Sequence, residues 1–383
     1  MNQQRRTFLA HALAGAGLLT LAPAQAVSAP GVLIPNVTGL YPVEVARVVA
    51  PVSTADVVRA VREWPGKIAV GGGRYSMGGQ VAVTGGLHLD MRAMKGLVRL
   101  DAGARVARVQ AGMRWRDLQD LLDPLGLAVH TMQSFSNFTV GGAVSVNAHG
   151  RYVGNGPVVN SVRALQLVLA DGSTVEASRT RHADLFRAAA GGYGAIGVIT
   201  EVELALTPNT RIERVVEEVA LDDYPAWFRR VVETVDKDSG CIFHNADLLP
   251  PSFDAPVAVS WRSTTKPLTE PARLVPRGQS YALNQNVLFA LTELPRGDLL
   301  RSKLIHPLLL ERPSVKWRKA GDWTREMIDT ALRFGGRYYL PYQLHATREQ
   351  FDRAYPEAAA LRLLKRRVDP AGRFSNELWA TYL

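Results

Sequence analysis

Cysteine is almost missing. The 383 residues hold one, Cys241, which excludes an internal disulfide framework and any multi-cysteine zinc or iron–sulfur site. The eight histidines are scattered, with no His-x-x-x-His pair on a helix-like stretch, so no metal centre is expected. Acidic residues fall short of basic ones, 35 against 45, giving a formal net charge of +10. Such an excess attracts polyanions. Yet the densest basic run, Lys365-Arg366-Arg367, amounts to a single helical turn. Nothing resembles a helix-turn-helix or RNA-binding signature, so nucleic acid is not an expected partner. With 47% hydrophobic and 21% charged residues, the composition is globular rather than disordered or fibrous, and the length suits two or three packed units.

The one extended apolar stretch is N-terminal. It follows Arg5-Arg6-Thr7-Phe8-Leu9, runs through Leu21 and ends at Ala24-Gln25-Ala26. Adjacent arginines, a mildly apolar Ala- and Gly-rich segment and a small-x-small cleavage pattern read as a twin-arginine signal peptide over residues 1–26. The other reading is an uncleaved anchor, although the run barely reaches the roughly 18–20 residues of a spanning helix. Export by this route implies a periplasmic protein, with the Tat translocase as a transient partner. It also favours a redox cofactor acquired before export and disfavours one replenished from soluble NADPH.

From Val43 onward, short β-type runs alternate with a few helical ones. Val43 to Val49 is strand-like, and Ser53-Thr54-Ala55-Asp56 caps a helix with Val57, Val58, Val61 and Trp64 on one side. Lys67 to Val70 is a strand that ends in Gly71-Gly72-Gly73. Hairpins are expected around Gly103 and Asp171-Gly172, helices over Trp115–Leu122 and His182–Ala189, and a strand over Gly197–Leu206. Past Pro208 the glycines thin out and Trp, Pro and Arg rise, which suggests a second domain that includes an apolar run at Val287–Leu294. Near the end come a β-type run, Tyr338-Tyr339-Leu340, a helix around Glu349–Arg353 and an Asp369-Pro370 stop.

Three glycine-rich stretches carry the chemistry. Gly71-Gly72-Gly73-Arg74-Tyr75-Ser76-Met77-Gly78-Gly79-Gln80 follows a strand. Consecutive glycines let a backbone turn sharply and bring N–H groups to a phosphate with no Cβ in the way. Ser76 and Gln80 add neutral donors and Arg74 adds charge. There is no G-x-G-x-x-G opening a helix before Asp90 and no Gly-Lys-Ser/Thr, so neither a Rossmann fingerprint nor a Walker loop is present. The second stretch, residues 134–150, is rich in small residues and hydroxyls and suits a large, flat, partly apolar ligand. The third, Gly191 to Thr200, has the same character.

In order and spacing, Gly-Gly-Arg-Tyr-Ser-Met-Gly-Gly-Gln, Thr-Val-Gly-Gly-x-x-Ser and Gly-Val-Ile-Thr-Glu resemble the PCMH-type FAD-binding domain of the vanillyl-alcohol-oxidase superfamily. The resemblance covers about residues 40–207, and the tail around Asp369-Pro370 and Asn376 is similar as well. It implies an α+β fold: a two-subdomain FAD-binding domain over 40–207, a smaller α+β substrate or cap domain over 208–335, and a segment, 336–383, that returns to the flavin site. Carried over position by position, Gly72, Gly73, Arg74, Tyr75 and Ser76 would cradle the FAD pyrophosphate, with Met77 and Gln80 alongside. Ser134 and Thr139 would meet the phosphate and ribityl region, and Gly141, Gly142 and Ser145 would lie along the dinucleotide. His149 and Gly150 would neighbour the cofactor, and Val198 and Ile199 would offer backbone to its edge. Asn376 would be a tail contact. Several relatives attach flavin covalently through a His at the position of Tyr75, so dissociable, non-covalent FAD is expected here.

The activity implied is oxidation of a small alcohol, sugar or lactone-like substrate by hydride transfer to flavin N5, with reoxidation by O2 or a respiratory acceptor. The alternative is a catalytically silent flavin-binding carrier or partner subunit. An NADPH-driven reductase is disfavoured by the export signal. Tyr342, Gln343 and His345 are the candidate catalytic residues. If residues 338–345 stay extended, Tyr339, Gln343 and His345 share one face and Tyr342 points the other way. The sugar-oxidase signatures, a Glu at the position of Arg337 and a His-Trp-x-Lys tail, are absent. His149 also reads as a hydrogen-bonded structural histidine and Cys241 as a core thiol. Trp227, Trp261, Trp317 and Trp323 read either as core or as pocket wall.

Overall fold

Short strands dominate the first half of the fold. The computed structural model describes residues 31–40, 42–233, 240–248, 254–269, 274 and 317–383. The expected signal peptide, the 287–294 run and His306 lie outside the described residues, as do the side chain of Trp317 and much of the expected cap domain.

β1 (Val32–Ile34) pairs antiparallel with β2 (Val43–Val45), and β3 (Arg47–Val49) follows directly, so the valine-rich run makes two short strands. α1 (Thr54–Glu63) begins where the sequence places its cap. Ser53 Oγ accepts the Asp56 N–H at 3.2 Å and the Asp56 carboxylate accepts the Ser53 N–H at 3.1 Å, a closed capping box. Val57 and Val61 are fully buried from its inner face. β4 (Ile68–Gly71) and β5 (Leu87–Asp90) join β3 in a parallel sheet ordered β3-β5-β4. Ile68, Leu87 and Leu89 meet α1 in a core that also takes Phe374 from the tail.

The larger layer is an antiparallel sheet. β6 (Leu97–Asp101) and β7 (Val106–Gln110) form the first hairpin. α2 (Trp115–Leu122) buries Trp115, Leu118 and Leu122, spaced to share one helical face, and β8 (Leu127–Val129) follows. α3 (Val140–Ser145) lies inside what the sequence showed only as a side-chain-poor stretch. β9 (Val162–Val168) and β10 (Thr174–Ser178) close the second hairpin, whose Gly172 sits at φ +78° as its turn requires. After α4 (Ala183–Ala189), the long β11 (Val198–Pro208) runs through the middle, giving the order β10-β9-β11-β7-β6 with β8 also on β11.

A third sheet, β12-β14-β13, combines β12 (Ile212–Glu218), β13 (Cys241–Asp247) and β14 (Val257–Ser263), with α5 (Tyr224–Val231) between the first two in sequence. Cys241 is buried here among Val219, Trp227 and Ala258, as a core thiol. The described remainder is helical: α6 (Trp317–Arg333), α7 (Arg348–Ala354), α8 (Ala358–Val368) and α9 (Glu377–Tyr382). No described helix is long and apolar enough to cross a membrane.

The expected β-run at 338–340 is corrected by the structure: residues 338–346 form no strand, and the chain turns at 340–342. Its carbonyls are taken by side chains instead of a ladder. Tyr338 C=O accepts the Tyr355 hydroxyl, while Leu340 and Tyr342 C=O both accept Gln80 Nε2 at 2.8 Å. Pro341 brings no N–H to a strand. The shared face proposed for Tyr339, Gln343 and His345 therefore does not form.

Candidate functional site

The three glycine stretches converge on one cavity of about 480 Å³. The loop after β4 forms one wall. Arg74 there adopts φ +61°, and its guanidinium pairs with Asp90 Oδ2 at 2.9 Å. Asp90 also accepts two hydrogen bonds from the Arg92 guanidinium, at 2.8 and 2.6 Å. Burial alone would raise the Asp90 carboxyl, but these guanidiniums hold it below the usual carboxylate range. Asp90 thus anchors the loop's arginine. For Arg74 itself, burial pulls the guanidinium down against the Asp90 carboxylate that holds it up.

The second wall is built on α3. Thr139 precedes the helix, is 2% exposed, and its Oγ1 has no hydrogen-bond partner among the described residues. Two glycines make room for that hydroxyl. A Cβ at Gly72 would collide with it, and one at Gly142 would lie 2.7 Å away. Gly141 gives its N–H to Ala111 C=O at 2.8 Å, so its part in the wall is closeness, not donation. The third loop zips onto the same helix, with Gly191 N–H on Val144 C=O and Tyr193 N–H on Ser145 C=O.

Of the residues proposed from sequence, Gly72, Gly73, Arg74, Tyr75, Ser76, Met77 and Gln80 line the cavity from the first loop. Ser134, Thr139, Gly141, Gly142, Ser145 and His149 line it from the second stretch, and Ile199 from the third. Gln80, expected to donate to phosphate, is only 3% exposed and spends its amide on Leu340 and Tyr342. With Met77 N–H on Pro341 C=O at 2.7 Å, it ties the glycine loop to the 340–342 turn.

Others lie off the cavity wall. Gly150 packs on Met132 C=O, and Val198 is buried in the core below. Asn376 is taken up by Tyr193 C=O and by capping α9 at Trp379 N–H. Of the catalytic candidates, Tyr342 lines the cavity, while Gln343 and His345 hydrogen-bond each other at 2.7 Å. His345 is 7% exposed, and burial lowers its pKa. Trp227, Trp261 and Trp323 do not line the cavity either.

Aromatic rings that the sequence could not gather complete the site. Tyr75 packs against Phe138 and Phe135, with ring centroids 4.6 and 5.4 Å apart. On another part of the wall Tyr339 meets His149 at 5.5 Å and Tyr342 at 5.8 Å. Tyr193, held at φ +49° between two glycines, also faces in, and burial pushes its phenol up. The unpartnered buried hydroxyl, the missing Cβ atoms and one guanidinium suit a phosphate-bearing group. The rings suit flat apolar surface. Both are features of FAD, so these residues fit that cofactor.

Residues 45–178 match the FAD binding domain family. This region is an FAD-binding domain of the PCMH-type flavoproteins. The chain is also similar, over part of its length, to several named proteins. Over 181 residues it is 30% identical to L-gulonolactone oxidase of Mus musculus, a stretch covering 47% of this chain and 39% of that protein. It is 36% identical over 123 residues to alditol oxidase of a Streptomyces species, covering 32% and 29% of the two chains. Decaprenylphosphoryl-beta-D-ribose oxidase of Mycolicibacterium smegmatis is 35% identical over 156 residues, covering 40% and 34%. The similar stretch spans less than half of each relative. Among the described residues no His, Cys, Asp and Glu cluster suits a metal ion.

Proposed function

We propose that this chain is an FAD-dependent oxidoreductase that oxidises a small alcohol, sugar or lactone-like substrate by hydride transfer to flavin N5, with electrons passed to O2 or a respiratory acceptor. The single observation that carries the reading is the cavity of the FAD-binding domain, where the unpartnered Thr139 hydroxyl stands between Gly72 and Gly142. Relatives named as oxidases of a lactone, an alditol and decaprenylphosphoryl-beta-D-ribose support the sugar, alcohol or lactone class. Bound FAD supplies a two-electron acceptor. Arg74, Thr139 and the backbone of Gly72 and Gly73 would hold its diphosphate, and Tyr75, backed by Phe135 and Phe138, would lie beside the cofactor without a covalent bond. A phenol packed against two phenylalanine rings offers no imidazole nitrogen for flavin attachment.

The two-subdomain division of 40–207, a substrate domain over 208–335 that includes the β12-β14-β13 sheet, and a 336–383 segment serving the flavin site belong to the same proposal. So does delivery to the periplasm by the Tat translocase, on the strength of Arg5-Arg6 and Ala24-Gln25-Ala26. The test is an anaerobic screen of alcohols, sugars and lactones against purified, FAD-loaded protein. Bleaching of the flavin absorbance by at least one donor, and its return on admitting an acceptor, is the expected result. Protein that takes up FAD yet is bleached by none, while a second protein co-purifies in equal amount, is instead a carrier subunit. Colour that stays with the protein after acid precipitation would show a covalent link.

A further inference from the structure

We propose that His149 is the proton acceptor of the oxidation, an inference that rests on the oxidoreductase reading above. When a C–OH carbon gives up its hydride to FAD, the oxidant, a C=O forms and the hydroxyl proton must leave to a base. Among the described residues lining the cavity, the ionisable side chains are Arg74, Tyr75, His149, Tyr193, Tyr339 and Tyr342, and none is a carboxylate. A guanidinium keeps its proton, and Arg74 is committed to Asp90. Phenols hold theirs at neutral pH, and burial pushes Tyr193 and Tyr339 further up. Imidazole is the side chain that takes and returns a proton near neutrality. The imidazolium then releases its proton to water, which closes the balance.

The backbone fixes where this ring stands. Ala148, 1% exposed, gives its N–H to Ala143 C=O at 2.9 Å and takes Val158 N–H on its own C=O at 2.8 Å. On the other side Gly150 is pressed onto the Met132 carbonyl, where any Cβ would collide. Between these anchors the His149 ring is exposed, lines the cavity and rests on Tyr339 with the ring planes 55° apart. Neither ring nitrogen has a hydrogen-bond partner among the described residues, so both remain available. Tyr339, itself against Tyr342, is the positioning residue.

His149→Ala tests the assignment with a donor found in the bleaching screen. The variant is expected to bind FAD like the parent, to be reduced about 10²–10⁴-fold more slowly, to lose the acid limb of the pH–rate profile and to regain part of the rate with added imidazole. Tyr339→Phe keeps the acid limb. A readout free of turnover is diethyl pyrocarbonate mapping of the chain before FAD is added. His149 is expected to be modified quickly and the buried His88 slowly. Loss of FAD by His149→Ala, reduction at the parent rate, or a His149 that resists modification overturns the proposal. If the parent holds FAD and no donor bleaches it, the oxidoreductase reading itself fails and takes this inference with it. A bleached parent with an equally fast variant sinks the histidine alone.

Discussion

Thr139 shows how one side chain separates cofactor binding from folding. A buried hydroxyl with no partner destabilises a fold by about 1–3 kcal/mol, so in the absence of ligand it works against stability. Thr139→Val removes the hydroxyl and keeps the shape. The apo-protein is therefore expected to melt at the same temperature or slightly higher, while FAD affinity falls about tenfold, or ~1.4 kcal/mol, as a hydrogen bond to a charged group is lost. Thermal melts with and without FAD, together with an FAD fluorescence titration, read both signs at once. An apo-protein that melts lower with unchanged affinity would make the hydroxyl structural. At this scale the sequence was informative where glycines run consecutively, because few roles require several absent side chains together. It marked Gln80 as a donor but not for its partners, Leu340 and Tyr342, which are far away in the chain. Tyr193, Phe135 and Phe138 were likewise illegible as pocket wall, since an aromatic residue reads the same in a core and in a site.

Among the elements, β5 carries a residue that ties the parallel sheet to pH. His88 is fully buried, its Nδ1 stands 2.9 Å from Val81 C=O, and its Nε2 has no partner among the described residues. The Val81 carbonyl selects the tautomer with hydrogen on Nδ1. Burial, reinforced by the nearby Arg74 charge, lowers its pKa from 6.5 to about 4. The unfolded chain therefore binds a proton below pH 6.5, whereas the folded one does so only near pH 4. Stability falls as pH drops through that window, by about 3 kcal/mol at 1.36 kcal/mol per unit. His88→Leu cannot titrate, so the difference between urea midpoints at pH 7 and pH 4.5 should be smaller in the variant than in the parent; equal differences would refute the assignment. Elements with a local signal were legible: the Ser53 capping box, the Asp171-Gly172 hairpin, and the Trp115, Leu118, Leu122 face of α2. The 338–345 stretch was not. Its β-type residues are overruled by Gln80 and Tyr355, which take its carbonyls.

Across the whole molecule, the tail is what fastens distant parts of the chain to the sheet beneath the glycine loop. Ile68 N–H meets Arg373 C=O at 2.7 Å and Ser375 N–H meets Ile68 C=O at 2.9 Å, so the tail runs beside β4. The Arg373 guanidinium reaches the carbonyls of Ala170, Val61 and Trp64, and Lys365 Nζ joins Ala195 C=O to Phe374 C=O. Phe374 fills the core between α1 and the parallel sheet with no exposure. The family resemblance implies a returning tail, but no periodicity in a sequence says which of its residues meets β4. Because Phe374 is not part of the cavity wall, its loss should separate folding from cofactor contact in the sense opposite to Thr139. Phe374→Ala is expected to lower the stability of the apo-protein by about 3–5 kcal/mol. FAD at 100 times its Kd returns about 2.7 kcal/mol to any fold that still binds it. The variant should thus melt well below the parent without FAD and, when saturated, rise toward the FAD-free parent while staying below the equally stabilised FAD-bound parent, with an affinity measured at low temperature close to the parent's. A melting point unchanged by the substitution, or a folded variant that no longer binds FAD, would show that the tail does not hold the sheet in this way.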